Sequence, residues 1–123
     1  MRRLTSLLLL LTVVAACGPT TTPLLRAEYL EGGETRTLLI AVDGAASIDD
    51  VALPPLEGEA LVELTLLVEA IATLPAPVGA EPDDGITRRL LIGETTIEVQ
   101  GLPAVPEPYR VLFTRLDALF ASR

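Results

Sequence analysis

Ile86-Thr87-Arg88-Arg89-Leu90-Leu91-Ile92-Gly93-Glu94-Thr95-Thr96-Ile97-Glu98-Val99-Gln100 decides the fold class of this chain. Successive side chains on a strand point to opposite faces. Ile86, Arg88, Leu90 and Ile92 therefore share one face, and Thr87, Arg89 and Leu91 the other. Past Gly93-Glu94, Thr95, Ile97 and Val99 alternate with Thr96, Glu98 and Gln100. Gly-Glu between two such runs suits a type II′ turn, which needs a positive φ at its first central residue. This is a hairpin in an antiparallel sheet with one face on a core and one in water.

On its C-terminal side, Gly101 to Pro108 is a proline-rich connection. Tyr109, Leu112, Phe113, Leu116, Leu119 and Phe120 then recur at helical spacing, predicting a helix over about Pro108 to Phe120 with Pro108 in its first turn. Phe113 and Phe120 are expected in the core, with Tyr109 exposed at the helix start. On the N-terminal side, Glu57 to Leu74 carries Leu61, Leu64, Leu67, Val68, Ile71 and Leu74 on one apolar stripe and ends before Pro75. Pro75 to Gly85 reads as a loop, with three prolines, two glycines and three acids.

Further upstream, Leu24 to Leu30 alternates loosely and stops at Glu31-Gly32-Gly33-Glu34, where paired glycines permit a tight turn. Arg36-Thr37-Leu38-Leu39-Ile40-Ala41-Val42 is apolar on both faces and predicts an interior strand. Asp43-Gly44 is a favoured type I′ pair leading into a weaker strand around Ala45 to Val51. The order is β-β-β-α-β-β-α. It predicts an α+β sandwich of two layers, an antiparallel sheet of about five strands with two helices on one face. The expected domain spans residues 24–123.

The residues needed for most catalysis are missing. The chain has no His and no Lys and a single Cys, Cys17. Triad nucleophiles, imidazole-ligated metals and Schiff-base chemistry are thereby excluded. Neither Ser47 nor Ser122 lies in a G-x-S-x-G elbow, and no phosphate-binding glycine loop occurs. Two acidic clusters remain, Asp49-Asp50 and Glu81/Asp83/Asp84. Paired carboxylates hold calcium or hydrolyse glycosides in other settings. Here Asp83-Asp84-Gly85 lacks the alternating ligands of a calcium loop and reads as a solvated turn. Asp49-Asp50 reads as a charged, protected hairpin edge. The site expectation is no catalytic residue, no metal and no cofactor.

Residues 1–16 are organised as an export signal: Arg2 and Arg3, an apolar run from Leu4 to Val14, then Ala15-Ala16. The run is about a dozen residues, whereas a bilayer span needs roughly 20. Val14-Ala15-Ala16-Cys17 resembles the lipobox of bacterial lipoproteins. That resemblance implies cleavage between Ala16 and Cys17, thioether lipidation of Cys17, and acylation of the new amino group. It also implies a lipid-anchored place in the cell envelope. The outer membrane is favoured in a diderm cell, because Gly18 rather than Asp follows the cysteine. Residues 17–23 form the lipidated cysteine and its tether. Loss of Arg2 and Arg3 leaves seven arginines against 17 acids, a net charge of −10. That charge opposes nucleic acid and a polybasic hold on anionic lipid.

Tyr29 with Gly32-Gly33, Leu38-Leu39-Ile40, the helix ending at Leu74, the Pro/Asp loop, and a hairpin before a C-terminal helix are similar in order to the emfourin-type small proteins. Those include inhibitors of thermolysin-like metallopeptidases, so the resemblance implies an inhibitor that inserts a loop such as Pro75 to Gly85 into a protease cleft. The leading expectation is a lipid-anchored envelope lipoprotein with a small non-enzymatic binding or accessory domain. Its partners are the membrane, through Cys17, and an envelope protein not named by the sequence.

Overall fold

The computed structural model describes residues 22–77, 84–103 and 105–122. They form one antiparallel sheet of six strands and two helices, an α+β architecture. The strands are β1 (Pro23–Glu31), β2 (Glu34–Ala41), β3 (Ala46–Ile48), β4 (Val51–Leu53), β5 (Thr87–Ile92) and β6 (Thr95–Gln100). Helix α1 is Gly58–Ile71 and α2 is Glu107–Ala121. The spatial order β4-β3-β2-β1-β5-β6 puts the first strand in the middle. There β1 pairs with β2 from Pro23↔Ala41 to Glu31↔Glu34, and with β5 from Arg26↔Leu91 to Leu30↔Thr87. Its first residue, Pro23, falls one position inside the expected tether.

The expected third strand is two. Asp49 and Asp50 adopt φ of 50° and 70° and reverse the chain between β3 and β4. Two positive φ values in a two-residue loop match the twist of antiparallel strands. Aspartate tolerates this region through local side-chain hydrogen bonding; Asp49 Oδ1 accepts the Thr37 amide at 2.8 Å. Asp49-Asp50 is thus a second tight reversal beyond the expected one at Asp43-Gly44, which does return β2 into β3, through a four-residue connection and not a two-residue type I′ loop. Gly44 is needed there for another reason. A Cβ on it would lie 2.1 Å from the Leu56 carbonyl oxygen, because the Leu56 amide donates to the Gly44 carbonyl at 2.8 Å. At Gly93-Glu94 only the glycine has positive φ, as a type II′ turn requires.

One side of the sheet carries the core. Leu25, Ala27, Leu38, Ile40, Ile48, Leu90 and Val99 pack with Leu64, Val68 and Ile71 of α1 and Leu112, Phe113 and Leu116 of α2. Burial of each such large apolar side chain stabilises the fold by about 1.5–3 kcal/mol before entropy is charged against it. Tyr109 is in this core at 1 % exposure and not at the surface, because it lies over Ile71, Ile92 and Ile97 at the end of the sheet. The other side is open. Leu39 is 36 % exposed, so β2 is interior to the sheet without being covered on both faces. On the open side an ion-pair row runs from Arg26 through Glu28 and Arg89 to Glu98, with nitrogen–oxygen distances of 2.9–3.2 Å. No helix among the described residues is long and apolar enough to cross a membrane.

Candidate functional site

Among the described residues, Arg88 is the charged residue that the fold buries. It sits in phase with Leu90 on the core face of β5 and is 2 % exposed. A guanidinium taken from water must have its donors satisfied, and four polar contacts do so. Nε and Nη2 donate to the two carboxylate oxygens of Asp117 on α2, at 3.1 and 3.0 Å. Nη1 and Nη2 donate to those of Asp84, at 3.2 and 2.9 Å. The guanidinium also lies 5.1 Å from the centre of the Tyr29 ring, in cation–π geometry. Tyr29 on β1 donates its hydroxyl to Asp117, and the Phe113 carbonyl lies 3.4 Å from the same oxygen. One arginine thus ties together β1, the approach to β5, and α2.

The ionisation of the group follows from these contacts. Burial alone would lower the Arg88 guanidinium, but its bonds to Asp84 and Asp117 outweigh that and hold it above its ordinary value. The hydrogen bond from Arg88 holds the Asp84 carboxyl below the usual carboxylate range. Burial first, then the bond to Asp117, push the Tyr29 hydroxyl far up. Tyr29 is therefore a fixed donor and no base. Arg88 has its guanidinium spent on carboxylates.

A cleft of about 380 Å³ opens beside this cluster, lined by Tyr29, Arg36, Arg88, Asp117 and Phe120, with Glu31 and Glu34 at the hairpin end. The Tyr29 and Phe120 rings pack with centroids 4.2 Å apart, and Arg36 lies 5.3 Å from the Phe120 centroid. Glu31 and Glu34 are directly opposed in the β1–β2 register. Like charges placed so cost stability and favour an approaching cation. The cleft presents carboxylates, arginines and aromatic rings.

Cys17 and Ala16, the expected lipidation and cleavage residues, lie outside the described residues, as do Glu81 and Asp83. Asp84 is described, and it is a partner of buried Arg88 where a solvated turn was expected. Asp49 shapes a turn and lies 3.6 Å from Arg36, consistent with an edge role. Among the described residues no group of three or more His, Cys, Asp or Glu is placed to hold a metal ion. The Arg88 cluster was not anticipated, although its signal is present: an arginine in phase with Leu90 on the apolar side of a strand. No protein family, no characterised protein and no solved structure matches this chain.

Proposed function

We propose that this chain is a lipid-anchored lipoprotein of the bacterial cell envelope, whose domain serves as a non-enzymatic binding or accessory module. The observation that carries the reading is Val14-Ala15-Ala16-Cys17 at the end of an apolar run, with two arginines before it and a proline-threonine tether after it. Two or three acyl chains, each CH₂ contributing about 0.8 kcal/mol on burial, hold far better than one. Five residues, Gly18 to Thr22, separate Cys17 from the first strand residue. Fully extended, that connection reaches about 20 Å, which keeps the domain close to the bilayer. A binding role fits the residue inventory: no His or Lys in the sequence, and Asp84 and Asp117 already engaged by Arg88.

The test is the intact mass of the protein extracted from its own membrane, beside a Cys17→Ser chain. The expected species is residues 17–123 plus a diacylglyceryl and an acyl group, absent from the variant. An unmodified species cut near Ala15 removes the anchor. A second reading, an inhibitor of a thermolysin-like metallopeptidase, draws support from the order of elements around Tyr29, Gly32-Gly33 and the C-terminal helix. Its loop, Pro75 to Gly85, lies mostly outside the described residues. Slowed hydrolysis by such an enzyme at micromolar domain supports this reading, and unchanged hydrolysis discards it.

A further inference from the structure

Tyr109 is 1 % exposed, and among the described residues nothing hydrogen-bonds its hydroxyl. Tyr29, also in the core, donates to Asp117. Burial pushes the Tyr109 hydroxyl above its ordinary value, with no partner acting beside it. A buried hydroxyl left unpaired destabilises a fold, so its surroundings are informative. Tyr109 lines a cleft of about 310 Å³ where the C-terminal end of α1 meets the β5–β6 hairpin. Val68, Ile71 and Leu74 come from the helix side and Ile92 and Ile97 from the sheet. Among the described residues, no charged one lines it. The volume is at the low end of ligand sites, which run from about 300 to 1,000 Å³. A carboxylate or ammonium placed there would be desolvated with no counter-charge. An apolar body carrying a neutral hydrogen-bond acceptor fits.

The cleft adjoins β6, which ends the sheet. The two-residue loop makes Ile92↔Thr95 a hydrogen-bonded pair, so Thr95, Ile97 and Val99 turn their backbone groups to β5. Thr96, Glu98 and Gln100 therefore direct theirs outward. The opposite edge is blunted, because β4 has three residues and runs into Pro54-Pro55. β6 has six residues in unbroken register, without proline, and its one charge, Glu98, is held by Arg89. A row of outward donors and acceptors is matched by another extended backbone. We propose that β6 takes up an extended peptide segment of a partner protein as a seventh strand, with an apolar side chain in the cleft and an uncharged amide side chain at the Tyr109 hydroxyl. Three needs converge on this occupant. The edge requires main-chain groups, the cleft an apolar side chain, and the hydroxyl a neutral acceptor. This surface rests on the binding-module reading above and is independent of the lipid anchor, whose mass test fails or succeeds separately.

The experiment uses the full chain grown with 3-fluorotyrosine and held in phosphatidylcholine nanodiscs. Its two tyrosines, Tyr29 and Tyr109, give two fluorine signals. The probe is the peptide acetyl-Lys-Thr-Leu-Thr-Gln-Thr-Leu-Thr-Lys-amide, which alternates as a strand and carries cations suited to an acidic domain. The Tyr109 signal is expected to move saturably below 1 mM peptide while that of Tyr29 stays. N-methylation of every second peptide amide is expected to abolish the shift in one phase and to spare it in the other, as a one-sided ladder requires. By calorimetry, Tyr109→Phe is expected to bind the probe about fivefold more weakly, the effect of one hydrogen bond. It should melt no lower than the parent chain, because it removes an unpaired group. A probe with Leu in place of Gln should bind both chains alike. The proposal is overturned by a still Tyr109 signal at 1 mM, by equal movement of Tyr29, by tolerance of both methylation phases, or by a lower melting temperature of Tyr109→Phe. A Tyr109 signal that moves with chain concentration alone gives the edge to a second copy and overturns it too.

Discussion

Arg88 and Arg89 are consecutive residues of one strand, and the pleat sends them into two different physical worlds. Arg88 enters the helix-covered side, where two carboxylates and a tyrosine ring complete its coordination. Arg89 enters the open side, where Glu28 and Glu98 bond it at the surface, at 2.9 and 3.2 Å. Measured by distance alone the two sets of bonds are equal. Their contributions are not, because water competes for the second set and is excluded from much of the first. Exposed ion pairs are worth little once side-chain entropy and screening are counted. A buried charge that loses its partner is left uncompensated. The polar bonds that locate α2 against the sheet are therefore those of Arg88 and Tyr29, and the open-face row is closer to a solubility device that also guards the central strands.

Mutation sharpens this contrast. Arg88→Ala is expected to destabilise the domain by about 3 kcal/mol in urea unfolding, toward the lower end for a buried pair because its acids are partly exposed. Arg89→Ala should be hard to separate from the parent chain in the same titration. Equal losses would mean that the two faces are energetically alike. Asp117→Asn comes next, at about 2 kcal/mol, since it weakens the acceptor of both Arg88 and Tyr29. A double-mutant cycle between Arg88 and Asp117 should show coupling above about 1 kcal/mol, while the Arg89–Glu98 cycle shows none that is resolved.

Acid gives a smaller separation. Asp84 has a depressed folded-state pKa, so the stability it supplies is present above its unfolded value and is lost as pH falls through the folded one. Asp84→Asn should flatten the decline of melting temperature below about pH 4, and an unchanged acid limb would show that Arg88 does not depend on that carboxylate. The smallest effect is spectroscopic. Both tyrosines of the chain are raised by burial, Tyr29 further through Asp117. Phenolate absorbance should therefore appear only together with alkaline unfolding. A separate titration step near the ordinary tyrosine value of about 10 would contradict the burial of at least one ring.

Elements whose causes are local were legible in the sequence. The β5–β6 hairpin was readable because alternation and a Gly-led turn lie within fifteen residues. The α2 stripe was readable because Leu112, Phe113, Leu116 and Phe120 satisfy one period, and all four are buried; the burial of Tyr109 was not read. The β3–β4 hairpin was not. Asp43-Gly44 was legible as the reversal between β2 and β3, but Asp-Asp is a weaker turn signal than Asp-Gly and three-residue strands carry almost no periodicity, so the second reversal at Asp49-Asp50 went unread. The Arg88 cluster was hidden for a different reason. Its acceptor Asp117 is 29 residues away and Tyr29 lies 88 residues from Asp117, so only the packed chain assembles it. The exposed Val62 and Leu66 of α1 were masked by the neighbouring core leucines, since a helix rich in apolar residues all round has no clear outer side.

The central position of β1 also has a mechanical meaning. The chain enters the sheet at Pro23, and that strand is hydrogen-bonded on both sides, to β2 and β5, along most of its length. A pull on the N-terminal end in line with β1 loads both ladders in shear, many bonds at once. An edge strand pulled across its ladder would instead peel, one bond after another. A domain entered through its middle strand thus spreads a pull on its N-terminal side over the sheet as a whole.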